Sequence, residues 1–269
     1  MNRFKTTILL PGVLALLFGG VEGALAQQGD AVGIVKRSQL AFFYPGEDFQ
    51  ARVTMDLVNP EGKVRKRDLS MLRKNASAAG EQKYILYFHN PPDVRGTSFL
   101  VWKYPARDDD RWLYIPAIRM VRRIAAKDRR SSFVGSDFTY EDISGRDIES
   151  DTHTLLREEK VDGKPCYVIQ SVPQEEAEYT KKISWIDKKT FLPLKEEYYD
   201  VQGELYRLFT ADEVKEVQGF STVVKRTMKN VKSRHHTEVT FTRVKYQVGV
   251  DEGIFSERSL QNPPERWIR

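Results

Sequence analysis

From Phe49 onward, apolar and polar residues alternate with a period of two, and the pattern runs nearly to the end of the chain. Such alternation gives each run one wet and one dry face, as an antiparallel strand requires and a helix does not. "FQARVTMDLVN" is followed by "PEG" and then "KVRKRDLSMLRK", two strands across a turn. "EQKYILYFHNP" and "TSFLVWKYP" make the next pair, around "PPDVRG". "RWLYIP" and "MVRRIA" follow. In "THTLLREEKVDGKPCYVIQSVP" the Asp162-Gly163 dipeptide is a strong hairpin signal. "TKKISWIDKKTFLPLKEEYYD" turns at "DKKT", and the meander continues beyond it with turns near Gly219 and from Ser233 to His236. The reading is about ten or eleven strands in one domain, since no Pro/Gly/Ser-rich linker divides them.

Helical signals are few. "GDAVGIVKRSQLAFFY" reads as a helix capped by Asp30, with Ile34, Val35 and Leu40 facing inward. "SSFVGSDFTYEDIS", residues 131–144, reads as a short helix or lid-like loop. So little helix cannot cover a long bent sheet generously, and an under-filled concave face is a candidate ligand cavity.

The N-terminus carries an address. Arg3 and Lys5 precede a short apolar run from Ile8 to Phe18, and Ala24-Leu25-Ala26 follows it. This is the pattern of a signal peptide cleaved after Ala26, so residues 1–26 are expected to be removed and 27–269 to form the exported domain. The run is too short for the roughly 20 residues that a spanning helix needs. The single cysteine, Cys166, excludes an intramolecular disulfide and reads as a small buried apolar residue. A net charge of +5 with 30% charged residues gives a mixed surface, without the one-sided charge of a nucleic-acid binder.

"RWLYIPAIRMVRRIAAKDRR" (111–130) sets seven arginines and lysines against Asp128 alone. Pro116 breaks any helix here, so the stretch reads as two strands turning at "PAIR". Trp112 and Tyr114 then share one face, and Arg111, Leu113 and Ile115 the other. The arginines can pair with nearby carboxylates, or they can present a surface to an acidic partner or to anionic head groups, with Arg119, Arg122 and Arg123 as the contacts.

"DRWLYIPAIRMVRRIAAKDRRSSFVGSDFTYEDI" resembles the signature of the exported outer-membrane lipoprotein-sorting protein family, relatives of the lipoprotein carrier LolA. "GKVRKRDLSMLRK", "WIDKKTFLPLKEEYYD" and "IFSERSL" extend the likeness over nearly all of residues 27–269. The resemblance implies a mainly β fold: a strongly curved antiparallel half-barrel closed by a few short helices around a hydrophobic cavity. It also implies a periplasmic carrier of lipid or lipoprotein cargo, monomeric, in transient contact with membrane. An inner-membrane transporter of the resistance-nodulation-division (RND) type is the implied partner. No cofactor and no nucleic acid are expected. The rival reading is an adaptor that docks on such a transporter and carries no lipid.

On that footing Leu100, Trp102, Trp112, Tyr114, Ile183 and Trp185 are the expected cavity wall. Phe133, Phe138 and Tyr140 are the expected lid, with Gly135 allowing its bend. Catalytic chemistry finds no support in the pattern. HExxH, CxxC, GxSxG and a phosphate-binding glycine loop are all missing from the sequence. The four histidines are scattered and read as surface polar residues; adjacent His235 and His236 point to opposite faces of a strand and make a poor metal site.

Overall fold

Every strand but two pairs with its neighbours in sequence, and the exception shapes the molecule. The computed structural model describes residues 20–77, 80–105, 107–175 and 179–268, with side chains from residue 31 onward. Residues 1–19 of the expected signal peptide therefore lie outside the described residues, and at its cleavage point, Ala26, only the backbone is described.

The first half of the meander comprises β1 (Asp48–Val58), β2 (Val64–Asn75), β3 (Gln82–Asn90), β4 (Ser98–Lys103), β5 (Asp110–Ile115) and β6 (Met120–Arg123). The second comprises β7 (Asp151–Val161), β8 (Lys164–Pro173), β9 (Lys181–Asp187), β10 (Pro193–Tyr199), β11 (Leu205–Val217), β12 (Phe220–Asn230) and β13 (His236–Tyr246). All thirteen form one antiparallel sheet in the order β6-β5-β4-β3-β2-β1-β13-β12-β11-β10-β9-β8-β7. The count exceeds the ten or eleven expected; the stretch read only as a continuing meander holds three full strands, β11 to β13. The Asp162-Gly163 turn forms as anticipated, both residues having positive φ (48° and 80°), the geometry that matches strand twist.

The first and last strands, β1 and β13, join the two halves through pairs such as Val53 with Phe241 and Met55 with Val239. This seam leaves β6 and β7 at opposite edges. One hydrophobic cluster unites Phe49 and Met71 of the first half with Tyr198, Phe209 and Met228 of the second, so the sheet curves around that face. We call it the inner face.

Two segments cover it. The helix α1 (Gly20–Phe43) is longer than expected, so Asp30 lies within it rather than capping it. Ala31 and Ile34 are buried against Ile169 and Ile186, whereas Leu40 points outward. The C-terminal end of α1 is fixed by the sheet. Arg73 donates to the carbonyls of Phe43, Pro45 and Gly46, and Gln82 Nε2 donates to Phe43 O at 2.9 Å. A cation at the negative end of a helix dipole, donating to the carbonyls at and just beyond that end, is a strong anchor.

The second cover is the crossing segment, residues 124–150, which runs from one sheet edge to the other. It contains α2 (Tyr140–Ser144), started by a capping box in which Thr139 and Asp142 exchange hydrogen bonds. Lys103 Nζ donates to Gly145 O at 2.7 Å beneath it. Gly145 has φ of 80°, and a Cβ there would meet the Phe43 ring at 2.8 Å. The crossing segment and α1 thus touch through a position that only glycine fills.

The opposite, outer face of the first half is also dry. It is covered by residues 248–268, including α3 (Glu257–Gln261) and α4 (Glu265–Ile268), through Val250, Phe255 and Leu260. Among the described residues no helix is long and apolar enough to cross a membrane. Replacing Gly145 by Ala should destabilise the protein by about 1–3 kcal/mol through overpacking against Phe43. Urea unfolding measures this, and an unchanged midpoint would mean that the α1 contact tolerates displacement.

Candidate functional site

The space between the inner face and its two covers forms two small cavities of about 130 and 70 Å³. They share Phe42, Phe43 and Arg226. Together they fall below the ~300–1,000 Å³ usual for a ligand pocket. A ligand of any length therefore requires α1 or the crossing segment to move aside. An open groove of about 1080 Å³ runs along α1 past Leu40, Tyr44 and Tyr104.

The larger cavity is lined by charge. Alternation on β9 turns Lys182, Ser184 and Ile186 inward. Lys182 Nζ lies 3.0 Å from Glu196, whose carboxylate also accepts from Ser184 Oγ at 2.9 Å and Tyr198 OH at 2.8 Å. From the crossing segment, Arg146 pairs with Glu141 at 3.2 Å and with Asp151 at 2.9 Å. Asp142 pairs with Arg207 of β11. Burial pushes the Tyr198 and Tyr179 hydroxyls well above their ordinary range, with neighbouring carboxylates adding to the effect. The smaller cavity is mostly apolar, walled by Phe49, Met71, Leu192, Val223 and Phe241.

These charged linings are what the sequence reading missed. A charged residue in an alternating strand is ordinarily assigned to the wet face, and strands β9 to β11 reverse that on their inner side. The available signal was complementarity across neighbouring strands, Lys and Ser on β9 against Glu on β10.

The expected wall lies elsewhere. Leu100, Trp102, Trp112 and Tyr114 face outward, packed beneath the C-terminal segment with Phe255 and Leu260. Trp102 meets Trp112 edge-on at 5.2 Å and donates from Nε1 to Phe255 O at 2.9 Å. The reason is physical: β2 to β4 are buried on both sides, so alternation there separates the two faces without telling which is concave. Ile183 and Trp185 alternate away from the cavity-lining Lys182 and Ser184, into a cluster with Cys166 and Val168.

The expected lid residues do come together on the inner face. Phe133 is fully buried against Phe88, Phe99 and Tyr140, and Phe138 lines the larger cavity. Gly135 has φ of 76°, a bend suited to glycine. Val134 O accepts from Arg67, and Asp137 accepts from Thr237 Oγ1 at 2.7 Å beside His235 Nδ1 at 2.6 Å. Arg119, Arg122 and Arg123 are exposed on the β5–β6 hairpin, Arg122 at 4.0 Å from Asp128 and Arg123 paired with Asp110.

His153, expected at the surface, is instead buried at the cavity wall. Its Nδ1 lies 2.8 Å from Ser171 Oγ and its Nε2 2.8 Å from Ile148 O. Burial pushes its pKa below the ordinary 6.5, against the opposing pull of the Ile148 carbonyl. His89 shifts the same way, also mainly by burial. A histidine whose folded pKa is depressed favours folding fully above the unfolded value and loses that contribution as the pH falls through the folded value. Stability should therefore decline as the pH falls from about 7 through and below the ordinary histidine range, and the decline should be shallower in His153→Gln. Thermal melts across that range check it; an identical slope in the variant would assign the loss to other groups.

Comparison with known proteins places this geometry. Residues 80–262 match the model of a family described as uncharacterized-protein-like. A search of curated proteins finds no match. A DUF1329 family protein from Desulfovibrio piger superposes with a TM-score of 0.80 at 28% identity, covering 87% of this chain and 99% of its own. An outer membrane lipoprotein-sorting protein domain from Vibrio parahaemolyticus gives 0.80 at 29%, with the same coverage. A LolA superfamily protein from Nitrosomonas europaea shares the fold, with a TM-score of 0.67 at 20% identity over 85% of this chain and 98% of its own. With a family match across most of the chain and two solved structures that align almost end to end, the protein belongs to the family described as uncharacterized-protein-like, is similar to an outer membrane lipoprotein-sorting protein domain, and has the LolA-like fold.

Proposed function

We propose that this protein is a periplasmic carrier, exported by its N-terminal signal, that holds a lipidic ligand between the inner face and its two covers. The ligand is a lipid or the acyl chains of a lipoprotein, and delivery is towards the outer membrane. One observation carries the reading: an inner face whose apolar cluster draws on both halves of the sheet, covered among the described residues by α1 and the crossing segment, with space left between. The similarity to a lipoprotein-sorting protein domain from Vibrio parahaemolyticus supports it.

The energetics suit a shuttle. Each methylene moved from water to an apolar wall gains about 0.8 kcal/mol, so a chain of about fourteen carbons gains on the order of 10 kcal/mol before ordering costs. The cavities are small in the closed state, so that gain is offset by the work of displacing the covers. A carrier needs such an offset in order to release.

A second reading has its own observation. At the tip of the β5–β6 hairpin, Ile118 and Met120 are 59% and 52% exposed beside Arg119 and Arg122. Apolar and cationic groups together at an open sheet edge suit docking on a membrane transporter, including one of RND type, by an adaptor that carries nothing.

Mass spectrometry of lipids extracted from protein purified without detergent separates the two. A carrier yields a stoichiometric acyl-bearing ligand. That ligand should be lost in Val223→Phe, which fills the apolar cavity, and kept in Trp112→Phe on the outer face. An empty wild-type protein with an intact fold would favour the adaptor.

A further inference from the structure

Arg226 of β12 stands where the two cavities meet and contributes to the wall of both. Its guanidinium is surrounded by aromatic rings, 5.4 Å from the centroid of Phe42, 5.5 Å from Phe138 and 4.9 Å from Phe241. Each ring comes from a different part of the structure: α1, the crossing segment and β13. Its Nε is buried without a hydrogen-bond partner.

The other cations of this interior are differently placed. Arg146 pairs with Glu141 and Asp151, Lys182 with Glu196, and Arg207 with Asp142. Arg73 is spent on the carbonyls that end α1. Arg226 makes no ion pair or side-chain hydrogen bond to the described residues. The carboxylate that most eases its charge, Asp142, is already held by Arg207 and by the Thr139 N–H at 2.7 Å. Burial lowers the Arg226 pKa to about 10, with Asp142 only partly offsetting the cost. Arg226 is thus still a cation at neutral pH, but a poorly compensated one.

Resting on the carrier reading, we infer that Arg226 anchors the anionic end of the ligand, an amphiphile with one carboxylate or phosphate group and a single apolar tail. The placement sets the orientation. The tail lies in the apolar cavity along Phe49, Met71, Leu192 and Val223, and the anion meets Arg226 on the side of the charged cavity. A guanidinium offers two parallel N–H donors to either oxyanion, and the interaction gains strength in a site screened from water. The three rings hold the cation in place before the ligand arrives, and cation–π contact compensates it only in part.

The test is a calorimetric titration of the delipidated full chain with palmitate, with 1-palmitoyl-lysophosphatidate and with methyl palmitate. The last has the palmitate tail without the charge. Wild type should bind at least one of the two anions at least tenfold more tightly than the ester. Arg226→Met should bring that anion to the level of the ester and leave ester affinity unchanged; Arg226→Lys should keep part of the preference. Tighter palmitate identifies a carboxylate ligand, and tighter lysophosphatidate a phosphate ligand. Equal binding of ester and anions in wild type, or an anion preference that survives in Arg226→Met, would overturn the anchor and leave the carrier reading standing. Failure of all three to bind wild type would overturn the carrier reading and the anchor with it. If Arg226→Met does not unfold cooperatively, the wild-type preference and the Arg226→Lys variant still decide the matter.

Discussion

Strands β6 and β7 follow one another in sequence yet stand at opposite edges of the sheet, so the chain between them has to cross the face that the sheet curves around. This follows directly from pairing the first strand with the last. A meander whose ends met its own neighbours would leave that face to solvent or to another chain. Here the sheet supplies its own cover, and residues 124–150 take the route over the inner face. The position of α1 follows from the same closure, because its C-terminal end is pinned by Arg73 and Gln82 on β2 and β3 and its last ring abuts Gly145 in the crossing segment.

The chemistry of that cover matters as much as its path. A plug made wholly of apolar side chains would close the face permanently. The crossing segment does bury Phe133, Phe138 and Tyr140, but it also brings Glu141, Asp142 and Arg146 against the sheet, each matched to an opposite charge. Buried ion pairs contribute little net stability, because desolvation cancels much of the attraction. Of the three, Asp142 is held by Arg207 of β11 and Arg146 by Asp151 at the start of β7, whereas Glu141 pairs within the segment, with Arg129 and Arg146. The result is a cover that is specific in position and modest in adhesion. Hydrogen bonds from Arg67, Lys103 and Thr237 add to these contacts, and each can be replaced by water on opening.

The sheet was legible in the sequence because alternation and turn chemistry are local. Asp162-Gly163 and the "PAIR" turn with Arg119 at φ of 49° both depend on residues within a few positions of one another. Which face is concave is not local information. In β3 and β4, apolar side chains stand on both sides; Tyr84, Phe99 and Val101 point in while Ile85, Leu100 and Trp102 point out. The outer set looked like a cavity wall because its cover, residues 248–268, lies far away in the sequence. The charged lining was hidden by the converse effect. Lys182, Glu196 and Arg207 resemble ordinary solvent-facing positions until the crossing segment and α1 are laid over them. His153 belongs to the same class, a polar residue made interior by a distant part of the chain.

The two halves of the interior are therefore unlike. Near the β1–β13 seam and along β2 and β3, the inner face is apolar and aromatic, with Phe49, Met71 and Tyr84 close to one another. Along β9 to β11, the same face carries Lys182, Glu196, Tyr198 and Arg207. A ligand that was apolar throughout would leave the second region desolvated without compensation. One that was polar throughout would gain nothing from the first. An interior divided in this way selects molecules that are themselves divided, and it imposes one direction on them. Arg226 lies on the dividing line, with a ring from α1, one from the crossing segment and one from β13 around it. Moving either cover takes away part of that aromatic cage, so the state of the cover and the environment of the cation are physically linked.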